Sequence, residues 1–201
     1  MSKSICALVH KAGSTREAFQ RYYEANHAPL AIGLFPFSGY VRNHVVEGGD
    51  FGWDTISEFW SADIAKAAAL MEGPIGETMR ADEERFMDRS RIAPGGAEEV
   101  VIAPGPRAAA DGRRTAVLVT GNGDEPAPRQ AVLALARALA AGRGGVSVDF
   151  VTAWQEPAFP AEAVIWVPGG LDDLPAPAGI ALRPLRVRCA ETPPADLLGA
   201  G

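Results

Sequence analysis

The sequence predicts an α+β fold of two similar halves, each on the ferredoxin-like βαββαβ plan, whose sheets pack into one barrel within a single chain. Three observations lead there. Helix and strand signals in residues 1–103 run strand, helix, strand, strand, helix, strand. A shorter version of the same order, with its second helix nearly lost, fills 115–201. Between them, the Pro- and Gly-rich segment from Pro104 to Arg114 breaks any regular element. The expected division is therefore a domain at 1–103, a linker at 104–114 and a degenerate second domain at 115–201. A sheet with helices on one face must bury the other, and the second sheet is its natural cover. The rival arrangement pairs first halves between subunits, and a homodimer beyond the intrachain barrel is compatible with either.

Each element has a local reason. Ser4–His10 is a short apolar run that suits a buried strand. Ser14-Thr-Arg-Glu17 has the capping-box pattern, and it opens a helix in which Phe19, Tyr22, Tyr23 and Asn26 recur at helical spacing. Pro29 disfavours helical geometry at Ala28, which puts His27 at or near a helix end. In Gly39–Val46, Tyr40, Arg42, His44 and Val46 share one face and Val41, Asn43 and Val45 the other. Thr55–Trp60 follows after a Gly-Gly turn, with Ile56, Glu58 and Trp60 on one side, so the two strands form a hairpin. Ala62–Glu72 is an alanine-rich helix, a charged helical stretch continues to about Arg89, and Glu98–Ile102 closes the half. In the second half, Thr115–Thr120, Val146–Trp154, Ala163–Val167 and Ile180–Cys189 read as strands. Arg129–Ala141 reads as a helix entered through Pro128, and Leu171–Ala178 as a Pro-interrupted stub.

Composition narrows the function classes. The chain has 201 residues, 19 Lys+Arg against 25 Asp+Glu, and a net charge of -6. An acidic balance of this kind argues against nucleic acid or an anionic membrane as the main partner, because phosphate binding needs a basic face. No apolar run reaches the ~18–20 residues of a membrane span, and the start lacks the apolar stretch of a signal peptide, so a cytoplasmic protein is expected. Two cysteines, Cys6 and Cys189, are too few for a disulfide framework or a cysteine-rich zinc site. All three His, Tyr and Lys residues lie in the first half, so any proton chemistry near neutral pH is concentrated there.

Phe19-x-x-Tyr22-Tyr23-x-x-Asn26-His27-Ala28-Pro29-Leu30, Gly39-Tyr40-Val41-Arg42-Asn43-His44-Val45 and Asp54-x-x-x-Glu58-Phe59-Trp60 occur in this order on the expected elements. Over roughly residues 3–103 the sequence resembles the EthD-like family of dimeric α/β barrels. The second half does not. The resemblance implies a sheet-to-sheet barrel with a small-molecule pocket, and it puts His27 at the pocket mouth. It does not carry over a reaction, since relatives include cyclases, decarboxylases, isomerases and cofactor-free monooxygenases.

The candidate residues follow. His27 is the expected general acid/base, because imidazole ionises near pH ~6.5; otherwise it only finishes a helix. Tyr40 would donate to a carbonyl or enolate oxygen, or act as an acid with a lowered pKa, unless it merely packs across strands. Arg42 and His44 would bind substrate from the Tyr40 face, although Arg42 could instead pair with Glu58, and His44 could be a solvent-facing rim residue. Tyr23, Glu58 and Trp60 complete the substrate-binding set, and Trp154 or Trp166 could add a wall for a planar ligand. No metal pattern occurs locally; only a spatial group of His27, His44 and Glu58 could build one. Gly121-Asn-Gly123 lacks the third glycine of a dinucleotide fingerprint. The expected function is a cofactor-independent enzyme that decarboxylates, cyclises or isomerises a small aromatic or polyketide-like compound. The alternatives are a cofactor-free monooxygenase and a non-catalytic barrel that binds small apolar molecules.

Overall fold

Alternation along β1 (Ser2–Leu8) sends Lys3, Ile5 and Ala7 to one side and Ser4, Cys6 and Leu8 to the other, and both sides are covered. The same two-sided burial recurs in β2 (Phe37–Glu47), β3 (Thr55–Ser61), β5 (Arg113–Gly121), β6 (Val146–Ala153) and β7 (Ala163–Pro168). The computed structural model describes all residues except 1, 48, 124, 172, 173, 175, 200 and 201. With β4 (Ala93–Ala103) and β8 (Ile180–Glu191), the strands close a barrel in the order β1-β3-β2-β8-β5-β7-β6-β4, antiparallel throughout.

The order contains the same sheet twice. β4-β1-β3-β2 is the ferredoxin-like order of the first half, and β8-β5-β7-β6 is that of the second. Two seams join them: β2 pairs with β8, Asn43 opposite Cys189, and β4 pairs with β6, Val100 opposite Val148. The barrel therefore closes inside one chain, as the element order predicts. β5 starts at Arg113, so Arg113 and Arg114 belong to the sheet rather than to the predicted linker.

Helices cover the outside. In the first half, α1 (Arg16–Tyr22) starts at Thr15, whose side chain accepts from the Ala18 N–H at 3.2 Å; the cap is one residue beyond the expected Ser14. Nor does the helix end at His27. It passes through a wide π-turn at Tyr23–His27 into α2 (Ala28–Leu34), with Pro29 in the first turn of α2. Pro29 has no N–H to give, and its ring would crowd the carbonyl four residues back. A turn in which the Ala28 N–H reaches Tyr23 O makes room for it without breaking the helix. α3 (Ile64–Ala69) is capped by Asp63, and α4 (Pro74–Phe86) follows after a single 3₁₀ turn. In the second half, α5 (Arg129–Leu139) is the only helix longer than one turn among the described residues, and the expected stub at 171–178 lies partly outside them.

β4 runs well N-terminal of the expected Glu98–Ile102, through Ala93-Pro-Gly-Gly. The glycines, which read as breakers, are there because β6 approaches closely. A Cβ on Gly95 would lie 2.8 Å from the Thr152 carbonyl oxygen, and one on Gly96 would lie 3.2 Å from the Trp154 indole nitrogen.

Three apolar clusters result. The barrel interior is filled by Ile5, Val45, Ile56, Leu118, Val164, Trp166, Leu185 and their neighbours. Phe19, Tyr23, Phe35, Tyr40, Met79 and Phe86 lie between the first sheet and its helices. Val117, Val132, Ala136, Val148, Ile165 and Val167 lie between the second sheet and α5.

Candidate functional site

A cavity of about 380 Å³ opens between the first-half sheet and its helices, with more apolar than polar lining. β1 supplies Ser4, Cys6 and Leu8, β2 and β3 supply Tyr40 and Phe59, and the helices supply Tyr23, His27, Ala31, Met79 and Glu83. The site is therefore on the outer face of the sheet, not inside the barrel. Sequence parity places Tyr40 on one face correctly, but parity alone does not say which face meets the helices.

His27 is the best-placed proton carrier. The π-turn carries it to the inner side of the helix, where it is 5% exposed. Its Nδ1 lies 2.8 Å from Asp82 Oδ2, and Tyr22 Oη donates to Asp82 Oδ1 at 2.8 Å, which fixes the carboxylate. Nε2 has no protein partner among the described residues, and His27 lines the cavity. With Nδ1 donating to Asp82, Nε2 is the lone-pair nitrogen. Burial lowers the His27 pKa and outweighs the opposing pull of Asp82, so the neutral base is the form held near neutral pH.

Two phenols stand beside it. The Tyr23 and His27 ring centroids are 4.8 Å apart. Tyr40 Oη donates to Tyr23 Oη at 2.7 Å, and Tyr23 Oη shares a hydrogen bond with Ser57 Oγ at 3.0 Å. Burial pushes both phenols above the usual tyrosine range, and their mutual contact adds to the rise at Tyr40. This corrects the expectation of a Tyr40 with lowered pKa: both hydroxyls keep their protons and serve as donors. Protonated phenols next to a neutral imidazole can take up charge developing on a ligand oxygen while the imidazole takes a proton.

The remaining sequence candidates lie elsewhere. Arg42 forms a bidentate pair with Glu24 (3.1 and 2.8 Å) and donates to Thr192 Oγ1, away from both the cavity and Glu58. His44 is fully buried between Thr55 Oγ1 at 2.7 Å and Glu24 Oε1 at 2.6 Å, so it is neither a rim residue nor a substrate ligand. Both anchor the π-turn to β2 through the Glu24 carboxylate. Glu58 points into the barrel, where it meets Lys3 Nζ at 2.8 Å, Asn43 Nδ2 at 2.9 Å and the Arg114 guanidinium. Trp60 lies on the same inner face, between the Lys3 and Arg107 cations, and donates to Glu99 at 3.2 Å. Trp166 is enclosed in the barrel beneath Arg114. The expected grouping of His27, His44 and Glu58 is thus divided among three places, and among the described residues no cluster of three or more His, Cys, Asp or Glu could hold a metal ion.

Sequence reasoning passed over Asp82 and the cavity-lining pair Glu83 and Arg89, whose Nε donates to Glu83 Oε2 at 3.1 Å. Burial raises the Glu83 pKa against the pull of Arg89. The available signal was α4 itself, where an acidic stretch faces a helix that carries the family-like histidine. It also passed over the buried interior set of Lys3, Arg114 and Asp149, because its members come from distant strands. Of the expected site residues, His27, Tyr23 and Tyr40 share the cavity, and Trp154 stands at its edge.

Residues 11–90 match the family model described as the EthD domain, a span that includes His27, Tyr40 and Asp82. No curated protein matches the sequence. Among solved structures, a candidate monooxygenase from Fusobacterium nucleatum subsp. nucleatum aligns with a TM-score of 0.50 at 10% identity, covering 93% of this chain and 92% of that one. A candidate chlorite dismutase aligns with a TM-score of 0.48 at 11% identity, covering 94% of each chain. The first likeness concerns the fold alone, and its coverage extends across both halves of the barrel.

Proposed function

We propose that this protein, a closed α/β barrel whose residues 11–90 match the EthD domain, is a cofactor-independent enzyme that moves protons on a small aromatic or polyketide-like compound. Decarboxylation, cyclisation and isomerisation all pass through enol or enolate charge, which this set of groups is suited to handle. His27 is the general base, taking a proton from the bound compound at Nε2 and returning it later. Asp82 is a positioning residue that holds the tautomer and the ring orientation through Nδ1. Tyr23 donates to the oxygen on which negative charge grows, and Tyr40 supports it by donating its own O–H to Tyr23 Oη. The apolar walls keep water out, which strengthens each of these interactions.

One observation carries the reading: a buried imidazole fixed at Nδ1, with an unpartnered Nε2, in a wall of the cavity. A histidine serving only as a helix cap would sit at a helix end, and this one lies mid-helix. The test starts from a screen of hydroxyaromatic acids for a compound that binds and is converted. The His27→Ala protein should still bind that compound but turn it over at least ~100-fold more slowly. Asp82→Asn should retain part of the activity and move the acidic limb of the pH profile to lower pH, because the Asp82 carboxylate stabilises the imidazolium. Turnover that survives His27→Ala within a few-fold would remove His27 from the mechanism. Stoichiometric oxygen uptake would move the reaction to cofactor-free oxygenation, which begins with the same deprotonation.

A further inference from the structure

The first half builds most of the cavity, but its mouth is shared with the second half. Trp154 and Gln155, immediately after β6, reach across to it from the second half. They are fixed there by backbone and side chain: the Trp154 N–H donates to Pro94 O at 3.1 Å, and Gln155 Nε2 donates to Ile92 O at 3.2 Å. The indole lies against Gly96, where a Cβ would stand 3.2 Å from Nε1, so β4 has no side chain to hold it away. Trp154 is nevertheless 48% exposed, one of few large apolar residues so presented. A tryptophan fixed in place and left open to solvent at a cavity entrance is a ready stacking platform.

The same mouth holds Arg89, the one cation that lines the cavity among the described residues. Its Nε is bound to Glu83, which orients the guanidinium. Nη1 has only the exposed Glu84 carboxylate at 3.5 Å, and Nη2 has no partner among the described residues. A guanidinium oriented by one carboxylate with its fork free is suited to a second.

We propose that the site takes planar aromatic compounds bearing a carboxylate, with the carboxylate on the Arg89 fork, the ring against Trp154, and the far end directed to His27. This rests on the function proposed above and adds the substrate class. It also gives the second half a direct part in recognition. The carboxylate must meet Arg89 despite Glu83 and Glu84, and the other titratable groups facing the cavity are His27, Cys6, Tyr23 and Tyr40. Arg89 is thus the feature that selects for an anion.

Calorimetric titration at pH 7.5 with 2-naphthoate and its uncharged isostere 2-naphthamide tests this. The unmodified protein should bind 2-naphthoate at least ~10-fold more tightly than the amide, the scale of a charge-assisted pair. Arg89→Gln should abolish that preference and leave amide binding unchanged. Trp154→Ala should weaken both ligands several-fold, and His27→Ala should leave the preference intact. Equal affinity for the two ligands, no binding of either, or a preference that survives Arg89→Gln would overturn the proposal. So would loss of the preference in His27→Ala, which would put the anion on the imidazole. The catalytic reading is judged separately, by turnover in His27→Ala, and can stand if the anion preference fails.

Discussion

In the first half, α1, α2 and α4 stand off the sheet around His27, Tyr23 and Tyr40; in the second, α5 lies directly on it through Val132, Leu133, Leu135 and Ala136. The two layers derive from one plan and have different contents. The first contains a cavity with an imidazole, two phenols and a carboxylate among its walls, whereas the second is a solid apolar sandwich. Two features separate them. A second helix, α4, brings Asp82 and Glu83, and the π-turn rotates His27 inward. The ferredoxin-like plan thus supplies the gap, and local sequence decides whether it becomes a site or a core.

The largest expected effect falls on the interior that both halves share. Lys3 and Glu58 come from the first sheet, Arg114 and Asp149 from the second, and Lys3 Nζ meets Asp149 at 2.7 Å. Glu58→Gln leaves two buried cations with one fewer carboxylate and should cost about 3–5 kcal/mol in denaturant unfolding. If the halves form one cooperative unit, circular dichroism and tryptophan fluorescence will still report a single transition at the lower midpoint. Two separated transitions would mean that the layers unfold independently.

A second pair of substitutions separates the layers themselves. Ile165 is fully buried under α5, and Ile165→Ala should cost about 2–5 kcal/mol, because a solid layer collapses only partly around the void. Enlarging Ala31 to Leu in the first layer should cost far less, since the added atoms enter existing space, but it should abolish binding of any cavity ligand. Thermal unfolding and calorimetric titration of the two proteins check this. Equal destabilisation by both would mean that the first layer is as solid as the second.

The sequence shows which of these features are written locally. Parity in β2 and β3 puts Tyr40, Arg42 and His44 together and Glu58 with Trp60, and the structure keeps both sets. It does not reveal that the sets face opposite sides of the sheet, because a barrel strand under helices is buried on both faces and reads apolar throughout. The His27–Asp82 contact spans 55 residues, and no spacing rule reaches that far. Arg42 and His44 look like ligands for a substrate because both are polar and lie beside Tyr40. Their partner is Glu24, in the π-turn above, and only the tertiary packing of that turn shows it.

The smallest effect concerns that Glu24 clamp. Burial would raise the carboxyl pKa, but hydrogen bonds from His44 and Arg42 outweigh it and hold the value down at about 2. A depressed carboxyl pKa contributes stability that is fully present above the unfolded value near 4.5 and is lost as pH falls towards about 2. Unfolding free energy should therefore decline over that window, and Glu24→Gln should flatten the decline. An unchanged slope in Glu24→Gln would mean that the clamp contributes nothing to stability in acid.

The seams β2–β8 and β4–β6 have a thermodynamic consequence. A barrel closed between separate subunits has a midpoint of unfolding that rises with protein concentration, because its association is paid in translational freedom. Here the covalent chain joins the two sheets, so closure is a first-order event and holds at any dilution. Covalent joining also removes the symmetry that identical subunits impose, under which every substitution appears twice. Arg114 can therefore face Glu58 once, without a copy of itself on the opposite side, and Trp154 can be placed over one entrance alone.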